Sequence, residues 1–203
     1  MKQGKLIVIS GPSGTGKGTI CKKLMPGEDA ALSISMTTRA PRPGERDGVS
    51  YFFTDRERFS ETIRGNGFLE YAEVYGEYYG TPREPVEAHL RAGRDVILEI
   101  DMQGAMQVKA AFPEGIFIFI MPPSKAELRR RIERRATESP EKIRERLDKA
   151  EAEIGYLREY DYVVVNDALK RAVADVRAIL RAERLRVERS ADDALGRYHG
   201  ETV

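Results

Sequence analysis

The chain has 203 residues, the length of one domain or of one domain with insertions. Apolar residues make up 41% of it, enough for a core that needs no disulfide or metal to stabilise it. With 34 basic and 33 acidic residues the formal net charge is +1, so no chain-wide positive field exists for a nucleic-acid backbone. Any phosphate binding must therefore be local.

Cysteine usage and the absence of targeting patterns indicate the compartment. Cys21 is the one cysteine, so no intramolecular disulfide can form. The sequence shows neither a secretory signal pattern nor an apolar run of about 18 residues. We therefore expect a cytoplasmic protein with neither nucleic acid nor a membrane as a partner.

The apolar residues along the chain predict an α/β fold. Near-continuous apolar runs, typical of parallel strands buried on both faces, occupy residues 6–9, 96–100, 116–121 and 162–165. Helical spacing follows at Ile143, Leu147, Ala150, Ile154 and Leu157, and again at Leu169, Val173, Val176 and Leu180. Strands that alternate with helices favour a parallel sheet with helices on its faces.

One stretch departs from this alternation and predicts a small inserted lobe. Short, aromatic and partly alternating segments lie at residues 32–36, 51–53 and 68–75. A helix is expected over residues 55–64, where Thr54 and Glu57 resemble a capping box. The segment RAPRPGERDG, residues 39–48, contains two prolines and two glycines and is predicted to be a loop.

The C-terminal sequence has no comparable pattern. From Arg181 onward the apolar stripe is lost and the chain ends in small and polar residues. We expect a helix that frays into a loose tail, with no chemistry assigned to it.

The strongest functional signal is the segment GPSGTGK at residues 11–17, directly after the apolar run 6–9 and directly before a helical pattern. Small residues let successive backbone N–H groups surround phosphate oxygens closely. Three glycines supply that freedom: Gly11, Gly14 and Gly16. Lys17 adds a mobile positive charge for the outer phosphates. A simple glycine-rich turn would need neither the lysine nor the flanking elements, so the pattern predicts a triphosphate-binding loop.

The loop departs from the usual pattern at one position. A Ser or Thr is expected directly after the lysine, but this chain has Gly18 and then Thr19. We therefore expect Mg²⁺ to be held mainly by phosphates and water, with Thr19 as a weaker candidate ligand. The metal is expected because phosphoryl transfer needs charge neutralisation on the triphosphate.

A second group of residues surrounds the proline-rich loop: Ser35, Arg39, Arg42 and Tyr51. Two guanidinium groups near a hydroxyl and a phenol suit a second phosphate, because arginine presents a planar fork of donors that matches oxyanions. A solvated basic loop without a ligand is an equally good explanation from composition alone.

Carboxylates and hydroxyls form a third group. Glu70, Tyr79 and Thr81 lie in FLEYAEVYGEYYGT, and Glu99 and Asp101 lie in LEIDMQG at the end of a predicted central strand. Ligands bind at the carboxyl ends of strands in α/β sheets, and alternate residues of a strand share a face. Both strand-end carboxylates can therefore point into one crevice, although a buried salt bridge would explain either of them.

A fourth group consists of the arginines in residues 125–146. Most arginines on such helices belong to a solvated face and pair with carboxylates such as Glu127, Glu133 and Glu145. A break at residues 136–140, where Ser139 could cap a helix that begins at Pro140, also allows a hinged flap over the triphosphate.

Taken in chain order, several motifs resemble the guanylate kinase family. They are GPSGTGKGT, SISMTTRAPRPGERDGVSYFF, FLEYAEVYGEYYGT, LEIDMQG, RRATES and YVVVND, from about residue 5 to about residue 185. The combination of TTR, PRPGE and YYGT is far more specific than a phosphate-binding loop alone. One departure is Ala136, where the lid motif of the family would have glycine.

The resemblance implies a P-loop three-layer sandwich with a parallel core sheet, an inserted GMP-binding lobe and a short helical lid. One domain would span residues 1–203, with the core at 1–33, 83–124 and 147–188, the lobe at about 34–82, the lid at about 125–146 and a loose tail at about 189–203. The implied activity is transfer of the γ-phosphoryl group of ATP to GMP, by a monomer or small homo-oligomer that uses Mg²⁺.

The resemblance also implies a role for each matching residue. ATP would be bound by Gly11, Pro12, Ser13, Gly14, Thr15, Gly16, Lys17, Gly18, Thr19 and Asn166. GMP would be bound by Ser35, Arg39, Arg42, Tyr51, Glu70, Tyr79, Thr81, Glu99 and Asp101. Lys17, Arg39, Arg131, Arg135 and Arg146 would act on the transferring phosphoryl group.

Two alternatives remain open at this point. Guanylate-kinase-like modules of scaffolding proteins keep the lobe as a peptide-binding surface, but they lack the intact loop found here. A related kinase of a sugar bisphosphate could use the same loop and arginines; Glu70 and Thr81 argue against it, though less decisively.

Overall fold

The computed structural model describes residues 3–74, 76–135 and 140–200, without the side chains at 135, 140, 142 and 193. The core sheet has five strands in the order β2-β7-β1-β8-β9. These are β1 (Leu6–Ser10), β2 (Ala30–Leu32), β7 (Asp95–Glu99), β8 (Ile116–Met121) and β9 (Tyr162–Val165). Every neighbouring pair is parallel. The predicted parallel sheet is confirmed, with β2 as an additional edge strand. β9 is not buried on both faces as predicted, because it forms the other edge of the sheet and leaves Val163 and Val165 exposed.

Helices cover both faces of this sheet because consecutive strand residues point to opposite sides. On one face, Ile7 and Ile9 of β1 pack with the buried side chains of α1 (Lys17–Leu24) and α7 (Leu169–Arg184). On the other, Leu6 and Val8 pack with α3 (Arg83–Arg91) and α4 (Met102–Ala111). The three-layer sandwich is confirmed.

The inserted lobe is built on a second sheet with the strand order β4-β3-β6-β5. Its strands are β3 (Met36–Thr37), β4 (Phe52–Phe53), β5 (Phe68–Val74) and β6 (Glu77–Pro82). The last of these was not predicted as a strand, because EYYGTP lacks a regular polar and apolar alternation. β6 forms the antiparallel partner of β5 and also pairs with β3. The segment 39–48 has no helix and no extended strand, as predicted.

The helix of the lobe, α2 (Arg56–Arg64), starts one residue later than the sequence indicates. Its N-cap is Asp55, whose carboxylate accepts a hydrogen bond from the backbone N–H of Arg58 at 2.8 Å. The prediction that Thr54 caps this helix is therefore wrong. A carboxylate at the N-cap satisfies the same free N–H group and also interacts favourably with the helix dipole.

The predicted lid is a pair of helices, α5 (Lys125–Arg135) and α6 (Pro140–Ile154). Leu128 and Ile132 of α5 pack on Ala150 of α6 in a small hydrophobic cluster of their own. Ala136 and Ser139, on which the predicted hinge and cap depend, lie outside the described residues. α6 extends eight residues beyond the predicted end of the lid at 146 and reaches the core.

The C-terminal region differs from the expected loose tail. α7 ends at Arg184, and a further helix, α8, spans Val187–His199. Arg189 of α8 donates to the buried carboxylate of Asp95 at 2.7 Å, and Arg184 donates to the other oxygen of that carboxylate at 3.3 Å. α8 is thus anchored by charge and leaves Leu195 and Tyr198 exposed. It shows no apolar stripe in the sequence for that reason. None of the described helices is long and apolar enough to cross a membrane.

Candidate active site

A cavity of about 750 Å³ lies at the carboxyl ends of β1 and β7, between the core, the lobe and α6. The core contributes Gly11, Ser13, Lys17, Glu99, Ile100 and Asp101. The lobe contributes Ser35, Arg39, Arg42, Tyr51, Glu70, Ala72, Val74, Glu77 and Tyr79. α6 contributes Glu145, Arg146, Lys149 and Glu153. Most of the predicted site residues thus line one cavity, although they come from three parts of the chain.

The loop between β1 and α1 has the shape that its glycines allow. Gly11 has a φ of +135°, and a Cβ atom there would lie 2.4 Å from the carbonyl oxygen of Ile120. Gly16 has a φ of +91°, and a Cβ atom there would lie 2.7 Å from Nδ2 of Asn166. Both positions therefore exclude a side chain. The loop leads directly into the N-terminus of α1, where free backbone N–H groups and the helix dipole favour an anion.

Lys17 lies against the inside of this loop. Its Nζ donates hydrogen bonds to the carbonyl oxygens of Gly11 and, at 3.1 Å, Pro12. Burial lowers the pKa of Lys17, and the nearby carboxylates of Glu99 and Glu153 counteract this effect. The ammonium group is therefore a partly desolvated cation, which increases its attraction for a phosphate.

Arg39 and Arg42 line the opposite, lobe side of the cavity. Nη2 of Arg39 donates to both carboxylate oxygens of Glu45 at 2.9 Å, and its guanidinium lies 5.4 Å from the ring centre of Tyr51. The backbone N–H of Arg42 donates to the same carboxylate at 2.7 Å. Glu45 therefore fixes the conformation of the arginine loop. A basic loop that is merely solvated would not need such an internal carboxylate. The sequence argument missed Glu45, although PRPGE contains it.

Glu70 on β5 is a buried carboxylate in the wall of the cavity. Oγ1 of Thr81 donates to its Oε1 at 2.5 Å. Gly104 of α4 packs against the same group, because a Cβ atom there would lie 2.3 Å from its Oε2. Burial raises the pKa of Glu70 to about 7, and the bond from Thr81 opposes part of that shift. Thr81 thus orients Glu70 and lies behind it rather than in the cavity wall.

Glu70→Gln is expected to change how stability depends on pH. The pKa of Glu70 rises from 4.5 to about 7 on folding. Between these two pH values, therefore, the folded protein keeps Glu70 protonated while the unfolded chain has lost that proton. Its contribution to the free energy of unfolding therefore falls as pH rises through this interval, by about 3 kcal/mol. Glutamine does not titrate and so avoids this loss. In urea unfolding, the variant should therefore be more stable than the wild type at pH 8 and as stable as the wild type at pH 4. Parallel pH curves for the two proteins would contradict the assignment.

Two further carboxylates, Glu99 and Asp101, close the cavity at the end of β7. Asp101 caps α4 by accepting from the backbone N–H of Gly104 at 2.9 Å, while its Oδ2 is buried without a hydrogen-bond partner in the described part of the chain. Burial raises the pKa of Glu99, and Lys17 counteracts it. A Cβ atom at Gly18 would lie 3.0 Å from Oε1 of Glu99. Gly18 therefore gives this carboxylate space beside the loop.

The predicted catalytic arginines are not all in the cavity. Nη2 of Arg146 reaches the loop and donates to Oγ of Ser13 at 2.8 Å. Arg131 instead contacts Glu127 at 2.6 Å and the backbone oxygen of Asn166 at 2.9 Å, away from the cavity. The side chain of Arg135 lies outside the described residues. The paired arginines Arg129 and Arg130 form exposed ion pairs, as a solvated face predicts.

Only some of the residues that the sequence assigns to ATP line the cavity. Gly11, Ser13 and Lys17 line the cavity. Asn166 is buried behind the loop, where its Nδ2 donates to the backbone oxygen of Thr15 at 2.7 Å. Thr19 is exposed on the first turn of α1. The structure thus makes Asn166 a support of the loop and keeps Thr19 out of the cavity wall. Among the described residues there is no cluster of three or more metal-ligating side chains.

Sequence reasoning also missed the side chains that α6 supplies beyond Arg146. Lys149 and Glu153 line the cavity together with Arg146. A spacing of three and then four residues places all three on one face of the helix. That spacing was the signal that could have identified them.

Comparisons with known proteins identify the family to which the chain is similar. The guanylate kinase family profile matches residues 3–183. The chain is 58% identical over 192 residues to a guanylate kinase of Caldanaerobacter subterraneus, covering 94% of this chain and 93% of that protein. It is 55% identical over 190 residues to a guanylate kinase of Thermus thermophilus, with 94% and 86% covered. The crystal structure of guanylate kinase from Anaplasma phagocytophilum matches with a TM-score of 0.78 and 37% identity, covering 93% of this chain and 90% of that one.

Proposed function

The chain belongs to the guanylate kinase family. From this membership and from the cavity, we propose which residues bind each substrate and which act on the transferring phosphoryl group. The enzyme transfers the γ-phosphoryl group of ATP to GMP and produces ADP and GDP. The observation that carries the proposal is one cavity with a triphosphate-binding loop on one side and an arginine-rich lobe on the other. Two anionic substrates can therefore meet in it.

The lobe binds GMP in this proposal. Arg39, Arg42 and Tyr51, together with Ser35 and Tyr79, surround the space for its phosphate. The arginines neutralise the acceptor phosphate, so that it can approach a second anion. Glu45 keeps Arg39 in position while this happens.

The core binds ATP. The backbone N–H groups of residues 11–19 surround the phosphates, and Lys17 adds its charge to the outer ones. Asn166 keeps the loop in this shape through its bond to Thr15. Arg146 lies beside the loop and can reach the phosphoryl group as it moves. Arg131 and Arg135 remain predictions for the same role, which would require the lid to close.

The acceptor atom is a phosphate oxygen, which is a nucleophile at neutral pH without a general base. Catalysis therefore consists of positioning and of charge stabilisation. Neither His89 nor His199 lines the cavity. Burial raises the pKa of Cys21, so that its thiol is a core group rather than a nucleophile.

Mg²⁺ fits the edge of the cavity formed by the two strand-end carboxylates. Hard cations prefer oxygen ligands, and the buried Oδ2 of Asp101 has no hydrogen-bond partner within the described residues. Asp101 and Glu99 would hold the ion, through its water ligands, while Thr19 is exposed. When bound with ATP, the ion supplies charge neutralisation on the phosphates.

Glu70 recognises the guanine base in this proposal. Guanine presents N1–H and an exocyclic amine as donors on one edge, whereas adenine has an unprotonated N1 there. An oriented carboxylate in the cavity wall therefore pairs with guanine and opposes adenine. Thr81 holds the carboxylate in place, and Asp101 adds a second acceptor nearby.

Glu70→Gln is the variant that tests base recognition. A buried acceptor left unpaired costs about 1 to 3 kcal/mol, so one carboxylate can account for about tenfold to hundredfold discrimination. We expect weaker GMP use and a correspondingly narrower ratio of kcat/KM for GMP over AMP. A coupled assay of ADP release with both acceptors measures it, with the exposed Glu73→Gln on the same strand as control. An unchanged ratio would mean that Glu70 is a structural carboxylate.

The cytoplasm as the place of action, the absence of nucleic-acid and membrane partners, and a monomer or small homo-oligomer as the functional state stay predictions from the sequence. Size-exclusion chromatography with light scattering measures the last of these.

A further inference from the structure

Helix α6 brings a carboxylate to the phosphate-binding loop. Glu153 lines the cavity together with Ser13 and Lys17. Its Oε2 is buried and has no hydrogen-bond partner in the described part of the chain. Burial raises the pKa of Glu153, and the ammonium of Lys17 and the backbone N–H of Ser13 oppose only part of that shift. No step of the transfer described above uses this residue.

Two side chains of the same helix lie near Ser13. Arg146 donates to the Ser13 hydroxyl at 2.8 Å, and Glu153, two turns later on α6, is near enough for the backbone N–H of Ser13 to lower the pKa of its carboxyl group. α6 is also the helix that packs on α5 in the lid. Ser13 is therefore one link between the loop and the lid, beside Gly14, which lies against Leu128 and Ile132 of α5.

The groups that favour the charged form of Glu153 include two that a triphosphate needs, Lys17 and the backbone N–H of Ser13. A phosphate-binding loop works through backbone N–H groups and a lysine aimed at phosphate oxygens. Glu153, which lines the same part of the cavity as Ser13 and Lys17, is itself an anion near these donors. Both anions cannot occupy these donors together, because like charges in a buried site repel strongly.

We propose that Glu153 is a positioning residue that competes with the triphosphate of ATP for Ser13 and Lys17, so that ATP binding displaces it and loosens the contact of α6 with the loop. The inference rests on the proposed assignment of ATP to this loop. Lys149, one turn earlier on α6, attracts the same carboxylate and provides a cation for it after displacement. Arg146 is then able to leave Ser13 for the transferring phosphoryl group.

Glu153→Gln is the decisive variant, because glutamine has the same shape but no charge. A neutral acceptor bonds about half as strongly as an ionised one, so the competitor is weakened and the repulsion is removed. We expect the Kd for the Mg²⁺ complex of a β,γ-imido analogue of ATP, measured by calorimetry, to fall about tenfold. The KM for ATP should fall with it, while the KM for GMP should stay the same.

Glu145→Gln is the matched control, since Glu145 is a carboxylate of the same helix and the same cavity but is exposed. Its effect on the Kd should be less than about twofold, because solvent screens an exposed charge. Glu153→Asp keeps the charge but withdraws it from Ser13 by one methylene group. Its Kd should lie between those of the wild type and the glutamine variant, which keeps the test possible if one variant fails to fold.

A Kd that is unchanged or higher in Glu153→Gln would overturn the proposal and make Glu153 a structural residue. Equal tightening in the Glu145 and Glu153 variants would also overturn it, because the effect would then be one of general charge. Failure of the proposed function is distinguishable from both outcomes: the wild type would then not bind the ATP analogue, or would bind it but not transfer phosphate from ATP to GMP.

Discussion

Lys17→Ala is expected to lower turnover by about a hundredfold to a thousandfold in a protein that remains folded. A positive charge aimed at the phosphates acts mainly on the transition state, and removing one such preorganised group costs this much in other enzymes. The fold should not suffer, because within the described residues Lys17 donates to carbonyl oxygens of its own loop, and burial already disfavours its charge. The coupled assay of ADP release and a thermal melt measure the two properties separately.

Lys23→Ala is the control for this variant. Lys23 is exposed on the same helix and does not line the cavity, so its removal should leave turnover within about twofold. Near-normal turnover of purified, folded Lys17→Ala protein would remove the basis for assigning the triphosphate to this loop.

Arg146→Ala is expected to lower kcat by about a thousandfold and to change the KM for GMP far less. An arginine that meets charge as it develops on a phosphoryl group contributes about this much, and its effect lies in the transition state rather than in substrate binding. The position of Arg146 beside Ser13 places it at the loop without a movement of the lid. Steady-state kinetics with both substrates varied separates kcat from KM.

Arg144→Ala serves as the comparison, because Arg144 is exposed on the same helix and does not line the cavity. It should retain normal kinetics. If Arg146→Ala lowered the melting temperature and left kcat unchanged, Arg146 would be a structural link between α6 and the loop and nothing more.

Parts of this protein whose signal is local could be predicted from the amino-acid sequence. Apolar runs such as residues 116–121 identified central strands, because a strand buried on both faces needs apolar side chains at every position. The loop GPSGTGK was recognisable because binding phosphate through the backbone demands glycine at fixed places. Family resemblance gave the candidate residues of the lobe a specific role in GMP binding, and the cavity contains most of them.

Predictions failed where a local signal was ambiguous or missing. Thr54 and Asp55 are both competent caps, and only the backbone geometry selects Asp55. α8 gave no apolar stripe because a charge contact with Asp95 anchors it. β6 became a strand through pairing with β5, which its own residues do not specify.

Which charged groups meet depends on the packing of the whole chain. Arg146 contacts Ser13 across 133 residues of chain, and Asn166 supports Thr15 across 151. No spacing in the sequence encodes such contacts, because they arise from the way in which helices pack on the sheet. The same packing placed Glu153 at the loop and left Arg131 outside the cavity. The arginines of a charged segment look alike in the sequence, and only the fold determines which of them faces the cavity.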